Sequence, residues 1–197
     1  ECKKAGGRTR LWRGELVVAM AMTEPSTGSD VQAIKTRAIK DGNAYKLTGS
    51  KTFITNGQHA NLIVVAAKTD PSLGSKGISL VVVETDEVEG FKRGRNLDKI
   101  GQKSQDTSEL FFDNVRVPTS NILGPEEGQG FIQLMQQLPS ERLQIGLQGV
   151  AAMDYALDET IAYVKERKAF GRAVMDFQNT QFKLAECKTK ATVAKVF

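Results

Sequence analysis

Two short segments of this 197-residue chain collect hydroxyls, glycine and an aromatic residue at spacings suited to a flat ligand with polar edges. The first, Met22 to Asp30, reads MTEPSTGSD. A strand-like run ends there, Pro25 stops it, and Thr23, Ser26, Thr27 and Ser29 surround Gly28. Hydroxyls and exposed N–H groups beside a glycine form a backbone-rich platform for an anion or a heterocycle, because a ligand can approach the main chain closely there. A plain polar turn has the same composition. The second segment, Lys51 to Gly57, reads KTFITNG. Residues two apart on a strand face the same way, so Phe53 and Thr55 would present a ring and a hydroxyl to one ligand. Alternatively it is one more amphipathic strand closed by an Asn56-Gly57 turn. Further on, Lys165, Arg167, Lys168 and Arg172 cluster at the end of a helical pattern, where the helix dipole favours cations.

Other chemistries lack their signatures. No GxGxxG follows a strand, and Gly101-Gln102-Lys103-Ser104 does not have the form of a phosphate-binding loop. The single histidine, His59, has no GxSxG nucleophile elbow to accompany it, and reads as a loop residue beside Asn61. Cys2 and Cys187 are far apart and make neither a disulfide framework nor a metal-ligand spacing, so no metal is expected and a reducing compartment fits best. The net charge of +4 is mild for this length and does not argue for nucleic acid. The basic run from Lys3 to Arg13 has no periodicity and reads as an irregular end. No stretch approaches ~18 consecutive apolar residues, so no membrane-spanning helix is expected.

The elements that must position these motifs divide by period. Residues 15–125 read as short strands: an apolar run Leu16 to Met22, then Thr36 to Lys40 and Tyr45 to Thr48 flanking the turn Asp41-Gly42-Asn43. Leu62 to Ala67 and Ile78 to Val83 are continuous Val- and Ile-rich runs that suit strands buried on both faces, with the loop DPSLGSKG between them. Glu109 to Phe112 and Val115 to Val117 close the series. Residues 126–197 change to a helical period. Leu143, Leu147, Val150, Leu157, Ile161 and Val164 form one stripe, with a start or a kink expected at Pro139. Phe182, Ala185, Thr189, Val193 and Val196 form a second stripe after a turn at Gly171. GPEEGQG, residues 124–130, reads as a linker, and residues 1–14 as an irregular remnant. The fold class is therefore α+β: an antiparallel β-barrel or sandwich followed by the first helices of an α-helical bundle.

In order and spacing, MTEPSTGSD, KTFITNG, QDTSELFFDNVRVP (105–118) and ERKAFGR (166–172) resemble the acyl-CoA dehydrogenase family from about residue 14 onward. The resemblance implies an FAD-dependent enzyme that removes a proton α to an acyl-CoA thioester and passes the β-hydride to flavin N5. It implies that Met20, Met22 and Thr23 contact the isoalloxazine, with Thr23 donating to its pyrimidine edge. Ser29 would touch both flavin and thioester. Phe53, Ile54 and Thr55 would pack on the ring, Thr55 near N5; many relatives carry Trp at the position of Phe53. Arg167, with Ala169, Phe170 and Gln178, would reach the FAD of a neighbouring subunit, which requires a homo-oligomer, a dimer of dimers. LPSERL (138–143) resembles the long-chain branch, in which Glu141 would be the base and Pro139, Ser140 and Arg142 would line the substrate channel. An electron-transfer flavoprotein is the implied acceptor. The implied compartment is the bacterial cytoplasm or the mitochondrial matrix. Flavin oxidases and monooxygenases, and a nucleic-acid-binding flavoprotein, share the scaffold as rival readings.

Overall fold

The computed structural model describes residues 7–86 and 88–197. The chain forms two compact units, Glu1–Met135 and Gln136–Phe197. In the first, a short helix α1 (Gly7–Trp12) precedes seven strands: β1 (Val18–Ala21), β2 (Arg37–Asp41), β3 (Ala44–Thr55), β4 (Leu62–Lys68), β5 (Ile78–Glu84), β6 (Phe91–Asn96) and β7 (Thr107–Pro118). The long helix α2 (Gly130–Glu166) begins in this unit and continues into the second. There a hairpin of β8 (Lys168–Ala169) and β9 (Arg172–Ala173) leads to α3 (Gln178–Val196).

The seven strands make a single sheet. β5 pairs antiparallel along one edge of β4. The other edge of β4 is shared: β1 runs parallel to Leu62–Val65, and β2 joins at the single pair Arg37↔Lys68. β2, β3, β7 and β6 then continue in antiparallel register. The antiparallel expectation therefore holds for most pairs, and the parallel ones fall where β1 and β2 border β4. A parallel neighbour needs a long connection, and the chain between β1 and β4 supplies it.

Both faces of β4 and β5 are covered, as their continuous apolar runs predict. On one face Ile63, Val65, Val81 and Val83 join Leu47, Leu110 and Val115 in the main core. On the other, Ala66, Ile78 and Leu80 pack with Ile34 and with Phe131 and Leu134 from the first turns of α2. The sequence reading missed β6, whose FKRGRN composition carries too little apolar pattern to announce a strand. It lies at the outer end of the β2–β3–β7–β6 path, and register with β7 defines it.

Several other expectations change. Residues 1–6, including Cys2, lie outside the described residues, but Gly7–Trp12 is helical where an irregular end was expected. A helix of six residues is too short to display a period. The GPEEGQG segment is fastened to the sheet: Tyr45 Oη donates to Glu127, and Gly128 N–H donates to Ser79 Oγ at 2.8 Å. α2 starts at Gly130 and runs through Pro139. Proline has no N–H, so the carbonyl four residues back, on Met135, loses its helical donor. In the second unit Leu157 and Val164 are buried as the first stripe predicts, but Leu143 and Leu147 are exposed. The second stripe is wrong in phase for this chain. Phe182, Val193 and Val196 are exposed, and α3 instead buries Ala191 and half-buries Thr180 and Leu184. Lys188 and Lys195 flank that face and reach Asp154 of α2 at 3.7 and 2.8 Å. The apolar period marks a face of α3 that nothing within the unit covers.

Candidate functional site

β1 and β2 occupy the same row of the sheet, one after the other, between β4 and β3. The chain leaves this row at Met22 and re-enters at Arg37. MTEPSTGSD is the outgoing half of that excursion. Glu24 closes its neck: the carboxylate accepts Lys35 N–H at 2.6 Å and Thr36 N–H at 3.0 Å, both at the point of re-entry. A further pair of backbone bonds between Glu24 and Thr27, at 2.9 and 3.1 Å, folds the MTEP segment back on itself.

KTFITNG, on the last turns of β3 and just beyond, stitches this excursion to the sheet. Lys51 Nζ donates to Met22 O at 2.9 Å and to Glu24 Oε1 at 3.0 Å. Thr52 N–H donates to Thr23 O at 3.0 Å. Asn56 Nδ2 donates to Val18 O at 3.1 Å. These bonds replace the ladder that β1 and β3 do not form. Lys51 and Thr52 are moreover both buried, which the alternation of a regular strand forbids. The chain solves this with a bulge: register with β7 slips between Lys51 and Ile54, and Phe53 takes φ +59°. After the bulge the alternation resumes, with Ile54 buried and Phe53 and Thr55 both exposed. The expectation that Phe53 and Thr55 share a face is met, though by a bulged strand.

The Lys51 and Glu24 side chains are 0% and 4% exposed. Burial pulls the Lys51 ammonium down to about 8, against the attraction of Glu24, which acts in the opposite sense. Burial pushes the Glu24 carboxyl up, but hydrogen bonds from Thr36 and Lys35 and the charge of Lys51 outweigh it and hold the group below its ordinary value. A buried pair of this kind is stable only while both members are present.

The outward surface above these bonds carries the expected contact residues. Phe53 is 67% exposed and Met20 45%, large values for apolar side chains within a sheet. Met22 and Thr23 are half-buried, and Thr55 and Ser29 are exposed. A Cβ built on Gly28 would meet only Thr23 Cγ2, at 3.8 Å, so nothing within the chain requires glycine there. By contrast, a Cβ on Gly57 would meet Ser108 Cβ at 2.9 Å, and packing alone explains that glycine. His59 is an exposed turn residue whose N–H donates to Asn56 O at 3.1 Å.

In the second unit, Pro139, Ser140, Glu141 and Arg142 lie on α2, and all four are exposed. Arg167 follows the last turn of α2, its N–H bonding Tyr163 O at 2.8 Å, and Val174 N–H returns to Arg167 O at 2.8 Å. Phe170 and Gly171 form the two-residue turn between β8 and β9, both at positive φ, +51° and +80°. Gly171 adopts this freely; Phe170 does so against preference. Phe170 is 96% exposed. Its one ring neighbour is Phe177, edge-on at 6.3 Å, and Arg172 sits over the Phe177 face at 4.1 Å. Ala169 is half-buried and Gln178, the first residue of α3, exposed. Among the described residues no cluster of His, Cys, Asp and Glu is arranged to hold a metal, and no helix is long and apolar enough to cross a membrane.

Sequence reasoning passed over Glu24, Lys51 and Asn56, although all lie inside the two motifs. One signal was available. Lys51 lies at the inward end of the otherwise uncharged run TFITNG, and Glu24 lies among hydroxyls, so each charge needs a partner if its strand is buried.

The family model described as "Acyl-CoA dehydrogenase, middle domain" matches residues 19–115, and the model described as "Acyl-CoA dehydrogenase, C-terminal domain" matches residues 128–197. The chain is 50% identical over 190 residues to the mitochondrial long-chain specific acyl-CoA dehydrogenase of Sus scrofa, covering 95% of this chain and 44% of that protein. It is 43% identical over 189 residues to the cyclohex-1-ene-1-carbonyl-CoA dehydrogenase of Geobacter metallireducens, covering 95% and 49%. The crystal structure of an acyl-CoA dehydrogenase from Geobacillus kaustophilus superposes with a TM-score of 0.93 at 49% identity, covering 96% of this chain and 50% of that one. The chain thus spans about half the length of the relatives it matches.

Proposed function

Since the chain belongs to the acyl-CoA dehydrogenase family, carrying sequence of its middle and C-terminal domains, we propose that the full protein catalyses FAD-dependent α,β-dehydrogenation of an acyl-CoA thioester. The observation that carries this reading is the outward face of the stitched sheet. Met20, Thr23, Phe53 and Thr55 stand exposed or half-exposed over the hydrogen bonds that join Lys51, Glu24, Met22, Thr23 and Thr52. This arrangement fits a flat tricyclic ring. Phe53 supplies an apolar wall, Thr23 and Thr55 supply donors for polar edges, and Gly28 leaves room that the chain itself does not use.

FAD, when bound, would supply the acceptor for the hydride lost from the β-carbon. The residues do the rest. Met22 contacts the ring, and Ile54, whose side chain is buried in the core, contacts it through its main chain. Ser29, exposed beside Gly28, would address both flavin and thioester. Glu141 takes the α-proton. A carboxylate does this well only in a dry site that raises its pKa. Glu141 is exposed in this chain, so the covering must come from bound acyl-CoA and further protein. Pro139, Ser140 and Arg142 line the entry.

Arg167, Ala169, Phe170 and Gln178 serve the FAD of a neighbouring subunit, with Arg167 binding its pyrophosphate through charge-assisted hydrogen bonds. The outward Phe170, held at an unfavoured backbone angle, supports a role in contacting something beyond its own unit. The active species is then a homo-oligomer, a dimer of dimers, that passes electrons to an electron-transfer flavoprotein in the bacterial cytoplasm or mitochondrial matrix. The decisive experiment is Glu141→Gln in the full-length protein. Anaerobic acyl-CoA should no longer bleach the flavin, a loss of at least about 10²-fold in rate, while FAD stays bound. Unchanged bleaching would sink the assignment of the base.

A further inference from the structure

We propose that Lys51 is a positioning residue for the cofactor: by gripping the Met22 carbonyl from inside the sheet, it turns the Thr23 N–H outward as a polarised donor to the pyrimidine edge of the flavin. This rests on the flavin reading above. Its basis is peptide geometry. A trans peptide unit is planar, with its C=O and N–H pointing in opposite directions. Lys51 Nζ draws the Met22 carbonyl inward at 2.9 Å. The N–H of that same unit, on Thr23, must therefore point away from the buried ammonium. Among the described residues no hydrogen bond uses the Thr23 N–H. On the next unit, Thr52 N–H draws the Thr23 carbonyl in at 3.0 Å, so the turn cannot rotate to bring the free N–H inside.

The charge matters as well as the geometry. A cation on a carbonyl polarises the whole peptide unit and strengthens its N–H as a donor, more so where the dielectric is low. The Lys51 side chain is 0% exposed, and Glu24 fixes it from the other side at 3.0 Å. Glu24 is held in turn by Lys35 N–H and Thr36 N–H. The ion pair thus does more than hold the neck of the excursion shut. It sets one backbone donor on the outer face and keeps it set before any ligand arrives, so little ordering remains to be done on binding.

The test uses the full-length holoprotein with FAD carrying ¹³C at either pyrimidine carbonyl. In wild type one of the two carbonyl infrared bands should lie below its position for FAD in water. In Lys51→Met, and in Glu24→Gln/Lys51→Met, where both charges are removed, that band should move back up. FAD affinity should fall about tenfold, the loss of one charge-assisted bond. Glu24→Gln alone removes the attraction that holds the proton on Lys51, so it should move the band part of the way back up and lower stability. A band at its wild-type position in both Lys51 variants, folded and with FAD bound, would overturn the proposal and leave the flavin reading standing. A wild-type protein that binds no FAD overturns both. Should neither Lys51 variant fold, amide exchange in wild type decides. A Thr23 amide that exchanges freely without FAD and is protected by it supports the proposal; one already protected without FAD overturns it.

Discussion

The two units carry motifs of similar clarity, yet they differ in how far the chain finishes them. In the first, MTEPSTGSD and KTFITNG bind each other. Glu24, Lys51 and Thr52 meet partners in the other motif or at the point of re-entry, Asn56 meets Val18 of β1, and the outward groups stand on a covered core. In the second, the residues of interest are laid out along α2 and at the tip of a hairpin with little beneath or around them. Glu141 and its neighbours are exposed, Phe170 is bare, and the apolar period of α3 faces outward. The difference teaches where each kind of function resides. The proposed cofactor platform is completed by one polypeptide, whereas the proposed base and the hairpin tip need something laid against them.

The strongest way to break this comparison is at the buried pair. Lys51→Met leaves the Glu24 carboxylate buried and alone, and should lower the stability of the first unit by about 3–5 kcal/mol in urea unfolding. Glu24→Gln/Lys51→Met should recover a good part of that. Lys195→Met, which removes one of two exposed lysines from Asp154, should barely register by the same measurement. A Lys51→Met effect as small as that of Lys195→Met would mean that the first motif pair is no more integrated than the second.

Core substitutions come next. Leu110→Ala, in the sheet core, should cost about 2–5 kcal/mol, whereas Leu143→Ala and Leu147→Ala in this chain should fall within about 0.5 kcal/mol of wild type. If the two α2 leucines prove as costly, that helix face is already covered in the free chain, and the contrast between the units fails.

The acid limb sharpens the comparison further. The Glu24 carboxyl lies below its ordinary value of 4.5 in the folded state. Its contribution is therefore fully present above about pH 4.5 and disappears as the pH falls through the folded value. The stability difference between wild type and Glu24→Gln should be flat from pH 7 to 5 and shrink below that. For Lys51 the sign is opposite in origin. A lysine lowered to about 8 prefers to be neutral when folded, so its ionised form costs stability below that pH, and the cost is relieved between about pH 8 and 10.5. Measured stability that falls steeply across pH 4 with Glu24 already replaced would shift the acid sensitivity to other groups. The smallest effect is expected at Gly28→Ala: a few tenths of a kcal/mol in unfolding, but a measurable loss of FAD affinity, because the methyl enters space only a ligand would use.

Much of the first unit could be read from sequence because its determinants are local. The Val- and Ile-rich runs of β4 and β5 and the Asp41-Gly42-Asn43 turn carry their structure in a few residues, and the pairing of Phe53 with Thr55 follows from a period of two. What escaped reading depends on distant partners. β6 exists through register with β7. The inward turn of Lys51 needs a bulge that no local pattern marks, since Phe53 is a residue that disfavours positive φ. The stripe of α3 was visible but its direction was not, because periodicity identifies an apolar face without saying whether the covering lies within the chain. The roles proposed for Glu141 and Arg167 rest on family resemblance, not on their surroundings.

The row shared by β1 and β2 has a consequence for how the molecule is made. The β2–β3 turn joins neighbours in sequence, and hairpins of this kind close within microseconds. β1 cannot be placed so early. Its partner β4 has yet to be synthesised when it emerges, and the bond from Val17 N–H to Asn61 Oδ1 spans 44 positions. Contacts of that range are slow to form. Until they do, β1 is not seated beside β4, and the outgoing half of the excursion lacks its anchor in the sheet. A newly made chain therefore gains its hairpins first and its cofactor platform last, and the rate at which it takes up flavin should report the closing of that final row.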